Sequence, residues 1–142
     1  MEIKKLRPQA KIPFRGSEHA AGVDLFACVD EAVTIAPHQT AMIPTGLAIA
    51  LPEKTFGAVF ARSGLAVREG LRPANCVGVI DEDYRGEVTV ALYNDSDAPR
   101  TVEPEERIAQ LVIVPYVMPD MTVVDELDQT ERGKGGFGST GK

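Results

Sequence analysis

Ten prolines and thirteen glycines interrupt this chain of 142 residues, and they leave no window in which a long helix could form. Within a helix a glycine costs about 1 kcal/mol and a proline about 3 kcal/mol relative to alanine, so residues spaced this way select short extended segments. The apolar residues between them agree. Leu25, Ala27 and Val29 alternate with Phe26 and Cys28, Val33 and Ile35 precede Pro37, and Leu47, Ile49 and Leu51 alternate with Ala48 and Ala50 before Pro52. Phe56, Ala58 and Phe60 repeat the pattern, and Leu111 to Val114 is a continuous apolar run ending at Pro115. A period of two belongs to strands. Only Leu65 to Leu71 offers helical spacing, two turns at most. The expectation is an all-β single domain, a jelly-roll-like barrel or sandwich over residues 1–131, with a mobile glycine-rich segment at 132–142.

Charge and cysteine content narrow the partners. Fifteen basic against twenty-one acidic residues give a net charge of −6, which argues against a stable nucleic-acid partner, since phosphate backbones are held by clustered Lys and Arg. An anionic small ligand would need positive charge gathered locally. Cys28 and Cys76 are too few for a disulfide framework and have no metal-ligand spacing, which points to a reducing compartment. No apolar run reaches the roughly 18 residues of a membrane span, and the N-terminal residues lead into Pro8 and Pro13 rather than an apolar signal core. A cytoplasmic protein without a membrane partner is expected.

The stretch Asn75 to Leu92 carries the densest chemistry. It reads as a β-hairpin, Val77 to Ile80 on the way in and Val88 to Leu92 on the way out, around a polar turn from Asp81 to Gly86. Asp81 at a strand end can hold and polarise a water, or can simply start the turn as Asp often does. Asn75 at the hairpin mouth offers both a donor and an acceptor to a base edge, or serves as a turn residue. Gly78 lets the backbone approach a ligand closely.

Three further stretches stand out. Gly22 and Asp24 in A-G-V-D-L-F-A sit at a strand entry, where the plain reading is a turn with a capping Asp. In A-R-S-G-L-A, Arg62, Ser63 and Gly64 follow a strand and open a helix. They bring together a guanidinium fork, a hydroxyl and backbone N–H groups suited to phosphate, although an ordinary Ser cap with a surface Arg has the same look. Gln110 interrupts the apolar run of E-R-I-A-Q-L-V-I-V-P and needs a hydrogen-bond partner if it points inward. The tail matches two glycine-rich nucleotide signatures by composition, but each requires a βαβ unit that the strand pattern does not supply.

G-V-I-D-E-D-Y-R-G resembles the third signature motif of the deoxyuridine triphosphate nucleotidohydrolases (dUTPases), and the other four motifs occur in order from residue 21 onward. The resemblance covers almost the whole chain. It implies hydrolysis of dUTP to dUMP and pyrophosphate with Mg2+ on the triphosphate, which keeps the dUTP pool low and supplies dUMP. Asp81 would be the general base and Tyr84 would pack on the deoxyribose. Asn75 with the backbone of Gly78, Val79 and Ile80 would read uracil, with Thr89 nearby. Arg62, Ser63 and Gly64 would hold phosphates, Gln110 would lie beside the α-phosphate and attacking water, and Arg107 would be a supporting charge partner. Asp24 would reach the metal through water. Phe137 would stack on uracil, while Arg132, Gly138, Ser139 and Thr140 take the γ end. The family builds each site from three chains, so a homotrimer is implied. Ala61 departs from the proline common at that place, without touching a contacting group. Two alternatives remain open: the related dCTP deaminases, some of them bifunctional, and a non-catalytic module of the same fold.

Overall fold

The structure, a computed structural model, describes residues 1–136. Among these are eleven strands and one helix. The strands are β1 (Glu2–Lys5), β2 (Gly22–Phe26), β3 (Val33–Ile35), β4 (Thr40–Pro44), β5 (Leu47–Ala50), β6 (Thr55–Phe60), β7 (Leu71–Pro73), β8 (Gly78–Ile80), β9 (Thr89–Asn94), β10 (Arg100–Val102) and β11 (Arg107–Pro115). The helix α1 (Ser63–Glu69) joins β6 to β7. A four-stranded sheet runs β2-β11-β6-β8, a three-stranded sheet β4-β9-β7, and two ribbons pair β1 with β5 and β10 with β3. All these pairings are antiparallel. No sheet closes on itself among the described residues, so the sandwich half of the expectation stands and the barrel half does not.

One apolar layer holds the sheets together. Leu25, Ile43, Leu47, Leu92, Val102 and Leu111 are almost fully buried in a single cluster with Leu65 of α1. Burying one such side chain contributes about 1.5–3 kcal/mol. Asn94, also fully buried, is satisfied by donating to the Ile35 and Ala98 carbonyls at 3.0 and 2.8 Å. Cys28 is buried against Gly46, whose φ of 69° suits glycine and where an added Cβ would stand only 2.7 Å from the Cys28 Sγ. Burial pushes the Cys28 thiol pKa up.

The expected hairpin is the largest correction. Its two arms belong to different sheets: Gly78 and Ile80 lie opposite Val59 and Gly57 of β6, while β9 lies between β4 and β7. The return arm is committed before it can pair, because the Val88 N–H donates to the Leu47 carbonyl and the Val88 carbonyl accepts from Thr45 N–H and Oγ1. The two arms therefore splay. Alternation correctly buries Val88, Val90 and Leu92, but on β8 it is Ile80 that turns inward while Val79 stands 63% exposed.

Candidate active site

Splaying opens a cleft of about 450 Å³ between β8 and β9. β8 is the outer strand of its sheet, so its far edge presents backbone N–H and C=O groups with no strand to take them. β7 ends at Pro73, opposite Leu92, with one further bond from Ala74 N–H to the Ala91 carbonyl. Beyond that point the cleft is lined by Asn75, Gly78, Asp81, Tyr84 and Thr89. These are the residues assigned to base and sugar recognition, and the fold gathers them. Gly78 has a more local reason than expected. A Cβ there would stand 3.2 Å from the Val59 Cβ and 3.4 Å from the Asn75 Nδ2, so its absence seats the Asn75 amide against the strand.

Tyr84 is fixed in the turn. Its ring lies over Gly86, where any added Cβ would collide with the hydroxyl, and that hydroxyl donates to the Glu87 carbonyl at 3.1 Å. Glu87 is anchored in turn, its carboxylate accepting the Gly46 N–H at 2.8 Å with Arg7 3.6 Å away. Nothing in the sequence marked Glu87, because its partners lie some forty and eighty positions earlier. Asp81 caps the end of β8 at the rim of the cleft, exposed, with no hydrogen bond to its carboxylate among the described residues. On its other side is a hollow of about 610 Å³ lined by Phe56, Val79, Tyr116 and Met118. The Tyr116 hydroxyl donates to the Glu82 carboxylate at 3.2 Å, and desolvation followed by that bond raises its pKa.

A second group forms where β2, β11 and α1 meet. Asp24, on β2 opposite Gln110, is 19% exposed at its side chain and takes one guanidinium on each oxygen: Arg62 Nε to Oδ1 at 3.1 Å and Arg107 Nη1 to Oδ2 at 3.2 Å. Arg107 is thus a charge partner, as expected. Gln110 donates to the Ala61 carbonyl at 2.9 Å, holding the turn that carries Arg62 against the sheet. Gly22 leaves room for the Gln110 Oε1, which a Cβ would approach to 2.8 Å. The Ser cap does not form. Arg62 itself occupies the capping position with extended backbone, φ −80° and ψ 127°, and Ser63 is the exposed first residue of the helix, its hydroxyl free of hydrogen bonds among the described residues.

One chain does not unite the two groups. Asp24, Gln110 and Phe60 form a row across β2, β11 and β6, whereas Asp81 follows Ile80, which faces Gly57 near the other end of β6. Three strand spacings across and four residues along put Asp81 roughly 19 Å from Asp24. Arg132, beyond the last strand, is exposed, its Nε bonded to the Gly135 carbonyl at 3.0 Å. Phe137, Gly138, Ser139 and Thr140 lie outside the described residues. No three His, Cys, Asp or Glu side chains gather as a metal site among the described residues.

A family model described as dUTPase matches residues 8–141. The deoxyuridine 5'-triphosphate nucleotidohydrolase of Desulfitobacterium hafniense (strain DSM 10664 / DCB-2) is 54% identical over 132 residues, 92% of this chain and 87% of that one. Its counterpart from Hydrogenobaculum sp. (strain Y04AAS1) is 48% identical over 139 residues, 98% of this chain and 96% of that one. Among solved structures, Staphylococcus bacteriophage 80alpha dUTPase with dUPNHPP is similar with a TM-score of 0.91 at 31% identity, covering 99% of this chain and 98% of that one. A mutant dUTPase from phage phi11 of S. aureus, described with a structural Mg(II) ion, is similar with a TM-score of 0.78 at 28% identity over 88% of this chain and 96% of that one.

Proposed function

This chain belongs to the dUTPase family and hydrolyses dUTP to dUMP and pyrophosphate, and on that premise we propose how its residues divide the work. The observation that carries the reading is the splayed cleft, where two strand edges and the Asn75 amide face one another across a space lined by Tyr84. A uracil ring has donors and acceptors along its rim and no charge, which suits backbone groups of Gly78, Val79 and Ile80 better than it suits ions. The sugar lies on the Tyr84 ring with Thr89 close by, and a 2′-hydroxyl has no room there. This geometry brings the α-phosphate to the rim, where Asp81 accepts a proton from the attacking water. Its freedom from internal hydrogen bonds leaves both oxygens available for that task.

The phosphates require cations that the cleft lacks. Arg62, Ser63, Gly64 and Gln110 supply the contacts, and the span of roughly 19 Å between Asp81 and Asp24 in one chain means that another copy brings them. A homotrimer with shared sites follows. Supporting it, Val117, Met118, Met121, Val123 and Leu127 beyond β11 are between 79% and 100% exposed, apolar side chains left uncovered by the described residues of one chain. Residues 132–142 form the closing segment, with Phe137 on the base and Arg132, Gly138, Ser139 and Thr140 on the γ end.

The donor set fits magnesium carried by the triphosphate rather than caged by protein: no carboxylate cluster is present among the described residues, and a hydrated Mg2+ needs one or two carboxylates and phosphate oxygens. When bound, the ion neutralises phosphate charge. Asp24 would hold it through water, using the lone pairs that Arg62 and Arg107 leave unused. Pyrophosphate release measured across dUTP, dCTP, dTTP and UTP tests the function. Turnover confined to dUTP is expected; ammonia from dCTP, or equal use of UTP, would overturn the reading.

A further inference from the structure

Beside Arg62 lies a cavity of about 400 Å³ that also receives Gly64, Arg68 and Arg107. Arg68 was not among the residues marked by sequence. It sits four positions after Gly64 on α1, and helical side chains lean toward the preceding turn, so its guanidinium folds back over Gly64. A Cβ at Gly64 would stand 3.0 Å from the Arg68 Nη2, and the bare glycine is what admits it.

The three arginines differ in what they have left to offer. Arg62 and Arg107 are both committed to Asp24. Of the carboxylates lining the cavity, Glu105 is engaged by Lys11 at 2.7 Å and Glu106 by the Glu103 N–H at 2.9 Å, while Glu69, next to Arg68 in the chain, forms no ion pair among the described residues. Arg68 makes no ion pair and donates no side-chain hydrogen bond among the described residues. It is exposed, with its whole donor fork free.

We propose that Arg68 is a further substrate-contacting residue that takes the terminal phosphates, the part of the nucleotide that leaves as pyrophosphate. Arg62, held by Asp24, stays nearer the bond that breaks. The proposal rests on the dUTP reading above. A free planar fork beside two fixed ones suits a group that must be held through the reaction and then released.

Titration of magnesium pyrophosphate and, separately, of dUMP into the parent, Arg68→Gln and Arg68→Lys proteins tests it by calorimetry. Arg68→Gln should weaken pyrophosphate binding by roughly tenfold or more and raise KM for dUTP similarly, because a charge-assisted contact is lost. Affinity for dUMP should stay within about twofold, and lysine should restore part of the loss, as a point charge replaces a fork. Pyrophosphate affinity unchanged in Arg68→Gln, no pyrophosphate binding by the parent, or an equal loss for dUMP would each overturn the assignment. A parent that binds pyrophosphate through Arg68 yet releases none from dUTP would instead overturn the reading on which the assignment rests.

Discussion

The cleft between β8 and β9 and the arginine corner at β2, β11 and α1 offer a ligand opposite kinds of group. The cleft is made by strands that do not pair with each other, and what it offers is backbone edge, one amide and one ring. The corner is made of charge, with Asp24 holding two guanidinium groups and a third folded over glycine. A neutral planar base and a polyanionic chain call for these two solutions, and a strand edge cannot be exchanged for an arginine. The difference also sets how each fails. Losing a charge in the corner releases its neighbours, whereas trimming the ring or the amide of the cleft alters fit.

Asp81→Asn tests the acid at the rim of the cleft and should have the largest effect. Hydrolysis should fall by about 10²–10⁴-fold, because the amide keeps the shape and accepts no proton. Binding of a non-hydrolysable dUTP analogue should change little, so calorimetry and pyrophosphate release will part company. A mutant within a few-fold of the parent rate would remove Asp81 from the chemistry.

Asp24→Asn should come next, since it removes the charge that holds Arg62 and Arg107 and leaves an acceptor oxygen for only one of them. Each charged hydrogen bond lost costs about 1.5–3 kcal/mol, which should appear as a lowered Tm and a raised KM for dUTP. A raised KM with an unchanged Tm would mean that Asp24 serves the substrate rather than the arginines.

Gly86→Ala makes the smallest change, one methyl, and acts on the cleft alone. It should push the Tyr84 ring aside and narrow the preference for dUTP over UTP by a few-fold, about the worth of a contact or two between apolar groups. An unchanged ratio of kcat/KM values would show that the ring is not what excludes the ribonucleotide.

What could be read beforehand follows the range of the interactions. Alternation located β3, β5, β6 and the body of β11, since each is a local pattern between prolines. It missed β1, β4, β7 and β10. β1 and β10 are mostly polar, with one apolar residue each, β4 exposes Met42 beside a buried Ile43, and β7 contains a proline. Asp81 and Tyr84 were marked by the resemblance of their stretch to a family motif, and the fold puts both on the lining of the cleft. The Arg62–Asp24–Arg107 clamp was not, because it joins residues 38 and 83 positions apart, and only the register of β11 on β2 brings them together. Arg68 escaped for a different reason: a lone arginine late in a short helix looks like any solvated charge until the space over Gly64 is known.

The unpaired edge of β8 has a cost that recognition does not reveal. An open strand edge is a template for any other extended chain, so the form without nucleotide carries its own seed for association. Two features hold that in check. The strand is only three residues long, and it runs straight into Asp81, Glu82 and Asp83, whose charges repel the same strand of another molecule. Only the second depends on solution conditions: as pH falls toward the isoelectric point near 4.9, the protein's overall repulsion vanishes while the edge stays open. On the proposed reading, nucleotide in the cleft also caps the sheet, which links colloidal stability to substrate supply.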